Sequence, residues 1–381
     1  MVSPESSTGS GLIAGQWIGT IKTDDMDEPG VATLGLEADR PGEAFACIDQ
    51  RNGIPPSRLN LFYRQTGETF EAVSAETALV FDYAREILVP VSQHPDAEKF
   101  TFSNKISVSG LISGNAIRGE WRGDSGVGGK FDLVNELGRA SKADHMFTWA
   151  EFKQFCGDSL VKGRIDCLFR GHASHKWDLS TAFHREQCYD LPRYRDRACV
   201  PLARELSGRL GRRYDLNNGH DFGAVLSLAQ HHGFPTPLLD WTRSPYVAAY
   251  FAISGATSAG AHPRIFMFDT TEWNKLPQPA NFNDPRPTVS VREFEAYDNP
   301  RHLPQQSCHT FSNVADIEGW VRTLEKQLDK SYLTIIDLLS ASGGANVGRF
   351  WRIENRHGCE RMARAAARAP ATSAAAAPGV R

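Results

Sequence analysis

Residues 228–253 read LAQHHGFPTPLLDWTRSPYVAAYFAI, and how this stretch divides decides what surrounds it. Its upstream part, AVLSLAQHHGF, spaces Val225, Leu228 and Ala229 on one helical face and stops at Gly233, a residue suited to the left-handed turn that closes a helix. Gln230, His231 and His232 therefore fall in the last helical turn. The helix dipole favours a histidine there, which is a purely structural reason for its presence. Pro235 and Pro237 set an extended loop that feeds Leu238-Leu239-Asp240-Trp241, and Ser244-Pro245 opens a second helix with serine as N-cap and proline in the first position. The expectation is two helices with the polar groups Asp240, Thr242 and Ser244 crowded on one loop between them.

Upstream, CLFRGH at 167–172 is an apolar strand that ends in Arg170, Gly171 and His172. The planar fork of an arginine at a strand end suits a phosphate or a carboxylate. Two readings of Arg170 stay open, a ligand clamp and a structural salt bridge to Asp178 or Asp240. The arginine-rich stretch 193–213 reads as helical, and a charge run on a helix is usually a solvated face rather than a nucleic-acid surface. With RIFMFD at 264–269 as a further strand, helices and strands alternate, giving an α+β domain. Its first helix begins at TWAEFKQFC, where Thr148 and Glu151 have capping-box spacing.

Residues 11–137 follow a different period. GQWIGTI, VATLGLEA, LNLFYRQ, TFEAVSA and KISVSGLI alternate polar with apolar residues between Gly-, Pro- and Asn-rich breaks, the pattern of an antiparallel β domain, barrel or sandwich. Trp17 and Trp121 share a GxW context that fits either a ligand site or aromatic core filling, and core filling is the ordinary role. The polar stretch 138–147 reads as a linker, 148–339 as the α+β domain and 340–381 as a poorly ordered low-complexity tail. The change of character after Leu339 is abrupt enough to suggest a lost reading frame there.

Composition narrows the function classes. A net charge of −3 gives no global field toward nucleic acid or an anionic membrane. Seven scattered cysteines, an odd number without CxxC spacing, fit reduced thiols in a cytoplasmic protein better than a disulfide framework or a zinc ribbon. The amino terminus lacks a signal peptide's apolar core, and no run approaches the ~18 apolar residues of a membrane span. Adjacent histidines on a helix diverge by ~100° and do not chelate one ion, so no metal is expected. No GxSxG elbow or GxxxxGK[ST] phosphate loop is present.

FRGH after an apolar strand, then AQHHGFPTPLLDWTRSPYVAAYFA, then NPRHLPQQSCHTF resembles the FRG domain, a family called after its Phe-Arg-Gly motif. The resemblance spans roughly 148–339. Two departures stand out: Pro237 replaces a common arginine, and Ser307 replaces the glycine that usually follows the paired glutamines. A more distant likeness runs to NAD-binding ADP-ribosyltransferases. It implies that Arg170 clamps the NAD pyrophosphate or ribose, that Thr242 and Ser244 orient the nicotinamide ribose, and that Gln305 or Gln306 stands where those enzymes carry glutamate. His172, Gln230 and His231 join the NAD-binding set, and Gln306 and Asp240 are the catalytic candidates. A neutral glutamine supplies only the hydrogen-bonding half of a glutamate's role, so Glu293, Glu295 or Asp240 is the acid that would complete it. The function implied is an ADP-ribosyltransferase or NAD glycohydrolase, a toxin or anti-phage effector acting on a protein or nucleic-acid acceptor, with a non-catalytic nucleotide- or protein-binding module as the alternative.

Overall fold

The computed structural model describes residues 14–339 apart from 52, 101, 136–140, 162–165, 257–261, 280–281 and 294–306. The expected tail at 340–381 lies outside the described residues.

The period-two segments of the amino-terminal half form β1 (Gly15–Thr23), β2 (Gly30–Leu36), β3 (Glu43–Asp49), β4 (Ser57–Thr66), β5 (Thr69–Ser74), β6 (Leu79–Asp82), β7 (Ile87–Pro90), β8 (Ile106–Ser113), β9 (Ala116–Gly123) and β10 (Gly128–Val134). Each strand pairs antiparallel with its neighbour in the order β3-β2-β1-β10-β9-β8-β5-β4, and a further β3–β4 pairing closes the ring. The choice between barrel and sandwich is thereby decided for an eight-stranded barrel, with the β6–β7 hairpin attached to the first residues of β4. Closure leaves no free edge in the ring. Trp17, Leu34, Leu61, Phe70, Ile117 and Phe131 fill part of its interior.

The second sheet contains β11 (His145–Phe147), β12 (Cys167–His172), β13 (Leu238–Thr242), β14 (Arg264–Asp269), β15 (Val289–Arg292), β16 (Ser307–Ser312) and β17 (Leu333–Leu338), in the order β11-β17-β14-β12-β13-β16-β15. Only β11–β17 is parallel among these pairs. The α+β class holds, and His145–Phe147, within the stretch read as a linker, already belongs to this sheet. The helices are α1 (Trp149–Val161), the single turns α2 (Ala182–Arg185) and α3 (Leu191–Tyr194), then α4 (Val200–Leu210), α5 (Gly219–His231), α6 (Pro245–Gly255), the turn α7 (Thr270–Trp273) and α8 (Ile317–Leu328). A π-helical segment, Arg195–Cys199, joins α3 to α4. One face of the sheet buries Phe169, Ile265 and Met267 against Phe152 of α1 and Ala248, Ala249 and Ala252 of α6. The other packs Leu168, Phe266 and Ile335 against Ile317 and Val321 of α8.

The local expectations hold at most termini. Glu151 accepts hydrogen bonds from the Thr148 amide and hydroxyl, Ser244 Oγ caps α6 by accepting from the Val247 amide at 3.3 Å, and Gly233 follows α5 with φ of 80°. The stretch after Pro237 departs from expectation. It is the central strand β13 rather than a loop, because Leu239 and Trp241 alternate into the core while β16 pairs along its length.

The barrel docks on the second domain through a polar seam. Gln16 Nε2 donates to the Asn313 carbonyl at 2.9 Å and its Oε1 accepts from the Ala315 amide at 2.8 Å. Arg58 of β4 pairs with Asp190 at 2.8 Å, both buried. Arg193, at the start of the arginine-rich stretch, binds Glu37 and Asp39 of the barrel, so it is an interdomain tether rather than a solvated charge. Further along, Arg209 and Arg212 pair locally with Glu205 and Asp221. Among the described residues the six cysteines are free thiols, and no helix is long and apolar enough to cross a membrane.

Candidate functional site

β12 and β13 share one register pair, Phe169 with Thr242, and then part. A strand edge released in this way leaves backbone carbonyls that need donors. Arg170 supplies one: its Nη1 donates to the Asp240 carbonyl at 2.6 Å, while Nε donates to His172 Nε2 at 3.1 Å. Of the two partners offered for Arg170, Asp240 receives its hydrogen bond, through the backbone carbonyl. Burial pushes the guanidinium down to about 10, with Asp240 opposing, so it stays charged at neutral pH. His172 lies behind it, neutral, with burial and the Arg170 cation pushing it down to about 3. That neutral ring accepts from Arg170 at Nε2 and presents Nδ1 to the Trp177 carbonyl at 3.3 Å.

Asp240 points its carboxylate the other way. Gln230 Nε2, on the last turn of α5, donates to Asp240 Oδ1 at 2.5 Å, and the Thr236 hydroxyl donates to Gln230 Oε1 at 2.6 Å, which fixes the amide's orientation. His309, opposite Asp240 in the β13–β16 register, places Nε2 3.3 Å from the same Oδ1. Burial of the surroundings alone would raise the Asp240 carboxyl, but His309, Arg170 and Gln230 outweigh it and hold it below the ordinary carboxylate value. The side chain is nevertheless 58% exposed. An ionised carboxylate braced from inside and open to solvent is available to a ligand.

Residues 166–260 match the family model of the FRG domain. The chain carries an FRG domain. No curated protein and no solved structure matches the chain. Within the FRG domain the Phe-Arg-Gly triplet has three separate physical jobs. Phe169 fills the core under α6, Arg170 seals the parted strands, and Gly171 lets α6 approach so closely that a Cβ there would lie 1.9 Å from the Ala248 carbonyl oxygen.

Of the expected site residues, the FRG domain brings Arg170, His172, Gln230 and Asp240 into one hydrogen-bonded group. Thr242 and Ser244 sit at the adjoining turn, where Thr242 Oγ1 accepts from the Ser244 amide at 3.1 Å and Ser244 caps α6. His231 is exposed at the end of α5 with its ring edge against His232. Gln305, Gln306 and Glu295 lie outside the described residues, and Glu293 pairs with Arg243. Sequence reasoning passed over Thr236 and His309. Thr236 is hidden in the FPTP turn, and His309 was recognisable only through the alternation of SCHTF once β16 is known to lie beside β13.

The site's histidine has a measurable consequence. His172, and His184 on α2, are both held neutral by burial, each pushed down to about 3 from an ordinary 6.5. Between those values the unfolded chain binds a proton at each position that the folded chain does not, so stability rises with pH across that window. Urea titrations at pH 7 and pH 5 are expected to differ by about 2 kcal/mol per histidine. His184→Gln is expected to remove about half of that difference. Asp240, whose pKa is lowered, acts in the same direction but only as pH falls through and below the ordinary 3.8.

Proposed function

We propose that the hydrogen-bonded group at the parted strands binds NAD and cleaves its nicotinamide–ribose bond, transferring ADP-ribose to an acceptor or to water. The observation that carries this reading is the Asp240 carboxylate, held ionised by His309, Arg170 and Gln230 yet open to solvent. Cleavage of that bond builds positive charge on the ribose as nicotinamide departs with the bonding electrons. A preorganised carboxylate lowers the barrier to forming such a cation. Arg170 serves as the clamp on the pyrophosphate or ribose, with His172, Gln230 and His231 around it, and Thr242 and Ser244 orient the nicotinamide ribose. Gln306 contributes hydrogen bonds where a glutamate would add charge. A role as a toxin or phage-defence effector in the cytoplasm follows if the acceptor is an essential protein or nucleic acid.

A second reading, a nucleotide- or protein-binding module without turnover, draws on the neutral pair Gln305-Gln306 standing where the transferases carry a glutamate. The two readings separate in one experiment. Purified protein is incubated with NAD and cell lysate, and NAD loss and labelled ADP-ribose are followed. Asp240→Asn is expected to lower kcat about 100-fold with KM changed less than about threefold. Arg170→Ala is expected to raise KM. No NAD loss from folded wild type discards the enzyme; if NAD still raises the melting temperature of wild type and not of Arg170→Ala, the binding module stands.

A further inference from the structure

The barrel interior is not filled. A cavity of about 160 Å³ runs through it, and none of its described lining residues is charged. An eight-stranded barrel is just wide enough either to be packed solid by its own side chains or to hold one small ligand. Small side chains at Ala32, Ala46, Ala78 and Ser57 select the second outcome here. Ile106 and Val108 of β8 show it from another side. They alternate inward against exposed Ser107 and Ser109, yet remain only half-buried because the space they face is open.

Polar groups in the lining give the cavity a direction. The Thr23 hydroxyl, Gln50 Oε1 and Trp121 Nε1 are each buried without a hydrogen-bond partner, and all three residues line the cavity. Thr23 is 3% exposed. Leaving a buried donor or acceptor unpaired costs about 1–3 kcal/mol, so three in one apolar chamber are not explained by folding alone. Gly129 contributes by staying small: a Cβ there would lie 2.8 Å from Trp121 Nε1 and 1.9 Å from the Lys22 carbonyl oxygen. Met26, Ile54, Phe102 and Val127, from four different connections, gather at the same end of the barrel as these polar groups.

We infer that the barrel is a binding site for a compact, uncharged, mainly apolar molecule of about six to ten heavy atoms, the size of one aromatic ring with a hydrogen-bonding substituent. Its apolar body lies between Leu59, Phe70 and Val108, and its polar end meets Trp121, Thr23 and Gln50. A carboxylate or phosphate is excluded, since no lining cation offsets the loss of its hydration. This site shares no lining residue with the Asp240 group of the FRG domain.

Phenol is the probe, with benzoate as the charged counterpart of the same size. Calorimetric titration of the full-length chain with phenol is expected to give one saturable site, and benzoate is expected to bind at least tenfold more weakly. Ala46→Phe, which fills the chamber, is expected to abolish phenol binding with an unchanged or raised melting temperature. Trp121→Phe, which deletes the donor, is expected to weaken phenol about fivefold. The proposal is overturned if wild type shows no saturable phenol binding up to about 10 mM, if benzoate binds as tightly as phenol, or if folded Ala46→Phe binds phenol unchanged. Should Ala46→Phe fail to fold, the phenol and benzoate titrations of wild type decide alone.

Discussion

Gly171→Ala is expected to destabilise the second domain by about 3 kcal/mol, the upper end for forcing one methyl group into a packed interior. The added Cβ would lie 1.9 Å from the Ala248 carbonyl oxygen and 2.9 Å from the Ala252 amide nitrogen. Both are backbone atoms of α6, so no side-chain rotation relieves the contact and the helix as a whole has to lift off the sheet. Lifting it also loosens Ala248, Ala249 and Ala252 from Phe169, Ile265 and Met267. Urea denaturation followed by tryptophan fluorescence measures the loss. The double variant with Ala248→Gly is expected to give no rescue, because the obstacle is the carbonyl of residue 248 and not its methyl. Rescue by that change would show that the clash had been attributed to the wrong atoms.

Asp337→Ala is expected to cost more, about 3–5 kcal/mol, the range for removing one partner of a buried ion pair. Arg264 and Asp337 stand opposite each other in the β14–β17 register, joined at 2.7 and 3.0 Å, and Arg264 is 2% exposed. The third donor goes to the Ser141 carbonyl at 2.7 Å. Without the carboxylate the guanidinium is left charged and dry in the middle of the sheet. Replacing both members together, Arg264→Met with Asp337→Leu, is expected to recover most of the loss, since it removes the stranded charge as well as the bond. Denaturation midpoints of the single and double variants check this directly.

Several features of this molecule were legible from residue types alone. The alternation in residues 11–137 specified antiparallel strands, and the caps at Thr148 and Ser244 marked where helices start, because these signals are local in the chain. Closure into a barrel was not local: it depends on β3 meeting β4, and nothing in either strand's own pattern distinguishes a ring from two stacked sheets. Asp240 was legible as one of the polar groups gathered after the FPTP turn, but Pro235 and Pro237 suggested a loop where the chain in fact enters the centre of the sheet. His309 lies 69 residues downstream of Asp240, a separation at which sequence carries no contact information, and its role became visible only through strand register. Gly171 is the opposite case, a residue named in the family motif whose necessity is a distance to a helix backbone that no motif records.

β16 connects the two domains. At residue 309 it touches the Asp240 carboxylate, and the chain continuing from its end presents the backbone of residues 313 and 315 to Gln16 of the barrel. The strand runs on from residue 309 to Ser312 and the docking residues follow at once, so the barrel contact and the Asp240 group lie a few residues apart on one chain segment. Thermodynamic reciprocity then applies to anything bound at either end: a barrel occupant that altered ligand affinity at Asp240 by some factor would have its own affinity altered by the same factor when that site filled.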